Sequence, residues 1–260
     1  MTALCPVENV TGSGDRAGLK YPVADDAFFR WSSASGACCG DFVYHEVRQR
    51  AGGVFPSPFF LWMIEFGVFM SLDKSGLRRY FSQLRESLTP EERSGADAAI
   101  CDRLSQWSVF KDAPAVAAFV AFGAEPELSA LAAGKAWFLP RWSPAKERYE
   151  IVGIGDLGRD LARGRYGILE PRSELPALPE SSWRELLFLV PALACDRFGV
   201  RLGRGGGYYD RMLEVSVRGA AAVIYDRQFS GDALPSEAHD RKVDWVVTEK
   251  RLVDCGKVKE

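Results

Sequence analysis

The chain has 260 residues, is 47% hydrophobic and 26% charged, and carries a net charge of −2, which allows one or two domains around a large core. So balanced a charge excludes a global field that would recruit nucleic acid or an anionic membrane; any basic character must be local. The six cysteines (Cys5, Cys38, Cys39, Cys101, Cys195 and Cys255) form no C-x-x-C pair, and the only histidines, His45 and His239, are far apart. These counts exclude a disulfide framework and a zinc module, and they point to reduced thiols in a cytoplasmic protein.

Residues 1–69 show no periodicity and end in the apolar run Phe59 to Phe69. That run is too short to span a membrane, has Glu65 within it, and lies too deep for a signal segment. At Met70 the character changes to charged, helical sequence. Residues 1–69 therefore read as a poorly structured leader or as over-called upstream sequence, and 70–260 as a single catalytic domain. The over-call is favoured, with Met70 as the natural start.

From Asp73 to Leu88 the spacing of Leu77, Phe81, Leu84 and Leu88 predicts a helix. Thr89, Pro90 and Glu92 spell a capping box with proline at the first helical position, opening a second helix that runs to about Trp107. Ala115 to Phe122 is a continuous apolar run stopped by Gly123 and reads as a buried parallel strand. A short helix is expected over Leu128–Ala133, a strand over Ala136–Leu139 stopped by Pro140, and an edge strand over Arg148–Val152. Leu186–Val190, Ala220–Ile224 and Val243–Val247 supply further strands, with a helix from Tyr208 to Val215 between the first two. Strands alternating with helices predict an α/β fold: an open α/β/α arrangement around a mostly parallel sheet, with a ligand crevice at the strand C-terminal ends. Gly123–Glu127, Pro140–Arg141, Pro191–Gly207 and Asp226 all follow predicted strands and could share that crevice.

The richest segment is Asp196 to Arg211, DRFGVRLGRGGGYYDR. Its glycines let backbone N–H groups approach a ligand, and Arg201, Arg204 and Arg211 suit phosphate or carboxylate oxygens. Asp210, beside such a cradle, suits Mg²⁺, which takes one or two carboxylates together with phosphate oxygens. A Walker loop would need Lys-Ser or Lys-Thr where Tyr208-Tyr209 stand, and a dinucleotide fingerprint fits the glycine spacing badly. The segment therefore reads as a polyphosphate site, for a nucleotide with magnesium.

With Lys74-x-x-Leu77-Arg78, Val190-Pro191-Ala192-Leu193-Ala194-Cys195-Asp196, Tyr166 to Pro171 and Leu234-Pro235-x-x-x-His239-Asp240, this segment resembles the 5-formyltetrahydrofolate cyclo-ligase family across most of 74–250. The resemblance implies a reaction that consumes ATP, requires Mg²⁺ and converts 5-formyltetrahydrofolate to 5,10-methenyltetrahydrofolate with release of ADP and phosphate. It implies ATP contacts at Lys74, Arg78, Arg201, Leu202, Gly203, Arg204, Gly205, Gly206, Gly207, Tyr208 and Tyr209. It places the folate against Glu125 and the run Arg204 to Tyr208, the metal at Asp210 and Asp240, and Arg204 and Tyr208 at the reacting group. Partners are then small molecules alone, with no nucleic acid and no membrane, and the enzyme is a monomer.

The run Glu125-Pro126-Glu127-Leu128 departs from the family pattern: Pro126 lacks an amide donor and Leu128 stands where a hydroxyl is usual, so either Glu125 or Glu127 could meet the pterin. Trp142 is a candidate stacking residue, Glu170 is either structural or a substrate contact, and Cys195 reads as a buried small residue. A non-catalytic nucleotide- or folate-binding homologue and an ATP-dependent kinase or ligase for another small substrate remain as competing readings.

Overall fold

The computed structural model describes residues 73–164, 167–215 and 218–257. The expectations for residues 1–69, for a start at Met70 and for Tyr166 lie outside the described residues.

Helix α1, Lys74–Glu86, begins where Asp73 accepts from the Gly76 N–H, and it buries Leu77 and Phe81 as their spacing requires. Helix α2, Pro90–Gln106, opens on the expected capping box between Thr89 and Glu92. A five-residue helix not read from the sequence, α3, Ser108–Asp112, follows.

The main sheet contains β1, Ala115–Ala117, β2, Ala136–Ser143, β3, Arg148–Ile154, β6, Leu186–Pro191, β9, Gly219–Val223, β11, Trp245–Val247, and β12, Leu252–Asp254. Their order is β12-β11-β9-β6-β1-β2-β3. Neighbours from β11 through to β2 are parallel, and β12 and β3 close the two edges antiparallel. The fold is thus the expected α/β arrangement around a mostly parallel sheet. No helix among the described residues is long and apolar enough to cross a membrane.

Side chains alternate strictly between the two sheet faces. Val116, Leu187, Leu189, Ala221 and Val223 join Ile100 and Leu104 of α2 in one buried cluster. Ala117, Phe188, Val190, Ala220 and Ala222 join Met212 and Trp183 in the other. Met212 lies on helix α4, Tyr208–Glu214, and Trp183 on the 3-10 turn Glu180–Glu185. Each large apolar side chain removed from water here contributes roughly 1.5–3 kcal/mol, so both faces hold their covering helices.

Two strands differ from expectation. The apolar run Ala115 to Phe122 is strand only to Ala117; beyond it, Ala118 and Phe119 are buried while Val120 and Phe122 turn into a cleft. Their apolar character reflects core and cleft lining, not sheet pairing. Pro140 does not stop β2, which continues to Ser143 against β3. The Ile151 carbonyl opposite Pro140 accepts from Leu178, on the far side of β3, so the Pro140–Ile151 pair is one that exchanges no hydrogen bonds. The missing N–H faces the side where β1 has already ended, and proline is tolerated there.

Smaller sheets complete the frame. Strands β4, Leu161–Arg163, and β5, Leu169–Pro171, form an antiparallel pair. Strands β7, Ala194–Asp196, β8, Arg201–Leu202, and β10, Phe229–Ser230, form a three-stranded sheet. Against the latter, α1 packs Leu77 and Phe81 onto Leu193, Ala194, Val200 and Leu202. This contact brings α1 beside the glycine-rich loop.

Candidate active site

Strand β1 lies between β6 on one side and β2 on the other, so the chain reverses its direction across the sheet at this point. A crevice opens at the C-terminal ends of strands where that happens. Here it is a cleft of about 800 Å³, floored by Phe119, Val120, Pro191, Ala192 and Leu193. Lys74, Arg78, Glu125, Asp240 and the whole run from Arg201 to Asp210 line it, so the nucleotide, folate and metal positions implied by the resemblance meet in one place.

The loop after β8 has the geometry its glycines require. Gly205 and Gly207 have φ of 97° and 63°, in the left-handed region that disfavours other residues. At Gly206 the constraint is space: an added Cβ would stand 2.6 Å from the Tyr208 ring. The N–H groups of Arg204, Gly205, Gly206 and Gly207 donate to no described residue. Successive unpaired backbone donors on a cleft wall form a binding surface for anions.

Helix α1 supplies the facing wall. Arg78 Nε donates to the Gly203 carbonyl at 3.0 Å. Lys74 Nζ lies 2.7 Å from Asp240 Oδ2 and 2.8 Å from Glu237 Oε1. Burial opposes the charge on Lys74, but the hydrogen bonds it donates to both carboxylates outweigh it and hold the ammonium above its usual range. Burial likewise pushes against the Asp240 carboxylate, yet Lys74 and the Glu237 N–H keep it below the usual carboxylate range.

Asp210 is held by Arg201, whose side chain is 3% exposed, at 2.5 Å, and it also accepts from the Arg241 N–H at 3.1 Å. Arg241 follows Asp240 directly, so the two carboxylates flank one corner of the cleft. Asp210 Oδ2 and Asp240 Oδ1 accept no hydrogen bond from a described residue. No group of three or more histidine, cysteine or carboxylate side chains suited to a metal occurs among the described residues. The donor set present, two carboxylates each with one oxygen to spare beside an anion cradle, fits a magnesium ion completed by phosphate oxygens and water.

Glu125 occupies the other end. Its carboxylate accepts from the Phe122 N–H at 3.1 Å and from Arg204 at 3.0 Å. Arg204 also stands over the Phe122 ring, 4.9 Å from its centre. Glu127 is exposed, accepts from the Ser129 N–H and does not line the cleft. The departures beside it have a structural cause, because Pro126 and Leu128 turn into the protein interior. Of the two glutamates, Glu125 alone faces the ligand space.

Tyr208 packs edge-on against Tyr149 at 4.9 Å and Trp142 at 5.8 Å, with Arg211 over its ring at 5.0 Å. Tyr209 packs against the core, where burial drives its phenol well above the usual range. Glu170 is buried, accepts from the Trp142 N–H at 3.0 Å and lines the cleft.

Other parts of the glycine-rich segment, and one suggested neighbour, lie elsewhere. Asp196 is fully buried and accepts from the N–H groups of Phe198, Val200 and Leu234, so it organises the turn before β8. Asp226 does not reach the cleft: it pairs with Arg251 and Thr248. Burial raises the Cys195 thiol well above its usual range, as befits a packing residue.

Several site residues were missed in the sequence: Phe122, Tyr149, Leu169, Glu237 and Arg85. Phe122 and Leu169 are the exposed large hydrophobic residues among those described, and both line the cleft. Arg85 had a readable signal. At 100° per residue it falls about 20° from Lys74 and Arg78 about 40°, so the three share one stripe of α1.

Comparison with known proteins agrees with this architecture. The 5-formyltetrahydrofolate cyclo-ligase family profile matches residues 70–249. The 5-formyltetrahydrofolate cyclo-ligase of Mycolicibacterium smegmatis is 35% identical over 188 residues, covering 68% of this chain and 94% of its own length. The Escherichia coli protein of the same name is 30% identical over 137 residues, covering 51% of this chain and 75% of its own. The solved 5,10-methenyltetrahydrofolate synthetase of Aquifex aeolicus superimposes with a TM-score of 0.63 at 29% identity, over 72% of this chain and 95% of that one. The chain belongs to the 5-formyltetrahydrofolate cyclo-ligase family of enzymes.

Proposed function

We propose that the cleft binds Mg-ATP and 5-formyltetrahydrofolate together, and that residues 70–260 act as one catalytic domain forming 5,10-methenyltetrahydrofolate, ADP and phosphate. The observation that carries this reading is the convergence of the α1 cations, the glycine loop and Glu125 on a single cleft of about 800 Å³. That volume lies within the ordinary range for small-ligand sites.

The chemistry accounts for the residues present. The formyl oxygen of an N5 amide is a poor leaving group. In the proposed sequence that oxygen attacks the terminal phosphorus of ATP and ADP leaves. N10 then closes onto the formyl carbon and loses its proton, the carbon–oxygen bond breaks, and phosphate departs with the oxygen. Little covalent work falls to the protein, so positioning and charge stabilisation dominate.

The unpaired N–H groups of residues 204–207, with Lys74, Arg78 and Arg201, supply the nucleotide cradle. Arg204 and Tyr208 border the reacting end: Arg204 to stabilise charge on the transferring phosphoryl, Tyr208 to wall it from water. Asp210 and Asp240 would hold Mg²⁺, which when bound neutralises phosphate charge and orients the oxygens. Glu125, as an ionised acceptor, matches the adjacent amino and ring N–H donors of a pterin. The reading extends to a monomer acting on small molecules and to the cytoplasm, the compartment being supported by the buried free thiols Cys101, Cys195 and Cys255.

The full chain, supplied with 5-formyltetrahydrofolate, is expected to generate the near-ultraviolet absorbance of the methenyl product only when Mg²⁺ and ATP are both present. ATP binding without that absorbance would support a non-catalytic homologue. ATP turnover confined to another substrate would support a different kinase or ligase.

A further inference from the structure

Two arginines address the carboxylate of Glu125, and they are not equivalent. Arg204 reaches Oε1 at 3.0 Å from the cleft side, and its side chain is 48% exposed. Arg85 approaches the same oxygen at 3.6 Å from within the protein, with a side chain only 3% exposed. Among the described residues Glu125 is the only ion-pair partner of Arg85, whose Nε and Nη1 make no hydrogen bond there. Enclosing a guanidinium with so little hydrogen bonding is costly, and its compensation here is the attraction to Glu125.

One carboxylate thus faces two cations, and only one of them can leave. An incoming polyphosphate competes for Arg204, because phosphate offers it a bidentate, charge-assisted contact. Glu125, whose side chain is 8% exposed, would then lose its cleft-side partner while enclosed. A carboxylate so placed needs another counter-charge to stay aimed at a ligand.

We propose that Arg85 is a positioning residue: it remains behind Glu125 as the immobile counter-charge while Arg204 transfers to the nucleotide, keeping the carboxylate directed at the folate. This rests on the proposed role of Glu125 as the folate acceptor. Arg85 does not line the cleft, so it acts through Glu125 and touches neither substrate. Nucleotide binding and folate binding are thereby coupled through a single carboxylate, because ATP removes the arginine that otherwise occupies the folate's acceptor.

The test uses the full chain with Arg85→Met, Arg85→Lys, Glu125→Gln and the double variant Arg85→Met/Glu125→Gln. KM for each substrate comes from product absorbance, and Kd for 5-formyltetrahydrofolate from calorimetry with and without ATP. Arg85→Met is expected to raise folate KM and Kd by about tenfold or more while ATP KM stays within about twofold. Arg85→Lys should recover part of the loss. In the Glu125→Gln background, Arg85→Met should add less than about twofold, because the group it acts through is already neutral.

The proposal is overturned if Arg85→Met raises ATP KM as much as folate KM, or if its effect multiplies undiminished with that of Glu125→Gln. If Arg85→Met does not fold by circular dichroism, the same cycle with Arg85→Lys decides. A wild-type protein that binds folate without turnover would sink the reaction reading, and the Kd comparisons would still judge Arg85.

Discussion

Arg78 on α1 donates to the carbonyl of Gly203 across 125 positions of sequence, at 3.0 Å. This bond makes the wall helix and the glycine-rich loop one unit. The guanidinium also lies against Gly205, where an added Cβ would stand 3.6 Å from its central carbon. Arg78→Ala removes both the tether and a cleft cation. It is expected to raise ATP KM by roughly ten- to a hundredfold, the size of a lost charged hydrogen bond, with a smaller change in folate KM. Steady-state kinetics varying each substrate in turn would check this.

Arg204→Ala should act chiefly on turnover. Its guanidinium borders the proposed reacting end, where charge is redistributed during transfer. A fall in kcat of about a hundredfold is expected, the usual cost of a lost transition-state donor. Unaltered single-turnover rates would remove Arg204 from the mechanism.

Two glycines a few residues apart should fail differently. Gly199 has φ 79°, and a Cβ there would stand 2.2 Å from the Val243 carbonyl oxygen, so Gly199→Ala is strained and clashes with backbone. The left-handed strain alone costs about 1–2 kcal/mol, and the melting temperature should fall by at least about 2 °C. At Gly206 the three atoms nearest an added Cβ all belong to the Tyr208 ring, so the expected effect of Gly206→Ala is displacement of Tyr208 from Tyr149 and Trp142. A drop in kcat with a smaller thermal shift would separate the two by calorimetry and kinetics.

Asp196→Ala removes the acceptor of three backbone N–H groups in a fully buried turn. At about 1–3 kcal/mol for each stranded donor, a loss of at least about 3 kcal/mol is expected in urea unfolding. The residue sits in the most informative sequence segment, yet its loss should act through stability.

The buried thiols give the pH dependence its sign. Burial pushes Cys101 up to about 11 and Cys255 up to about 12. Above about pH 8.5 an unfolded chain releases these protons while the folded one retains them, so the folded state binds more protons. Stability should therefore be fully present below about pH 8.5 and decline as pH rises toward the folded values. Melting temperatures should hold from pH 7 to about pH 8.5 and fall from there to about pH 10. Peptide-level alkylation at pH 8 should leave Cys101, Cys195 and Cys255 unmodified until denaturant is added.

The central strands were legible because burial on both faces writes itself as unbroken apolar runs, as in Leu186–Val190 and Ala220–Ile224. The capping box at Thr89 was legible because it is a local contract between neighbouring residues. The short strands β4, β5, β7, β8, β10 and β12 left no such trace: two or three residues are too few to establish a period. The run Ala118 to Phe122 misled because cleft walls and strand interiors draw on the same residue types. The site was legible where its chemistry is contiguous, from Arg201 to Asp210. Tyr149 and Glu237 escaped because their meaning lies in which distant residue each one meets.

Strand β1 ends after three residues, with one last bond from the Ala118 N–H to the Phe138 carbonyl, while β2 and β6 continue on either side. The hollow between them is consequently carved by missing backbone, not by small side chains. Its depth is set by where the chain departs from the pleated layer, and substitutions around the rim can alter ligand preference without reaching that depth. Descendants of this scaffold could accordingly exchange substrates by rewriting exposed rim positions such as Phe122 and leave the sheet beneath unchanged.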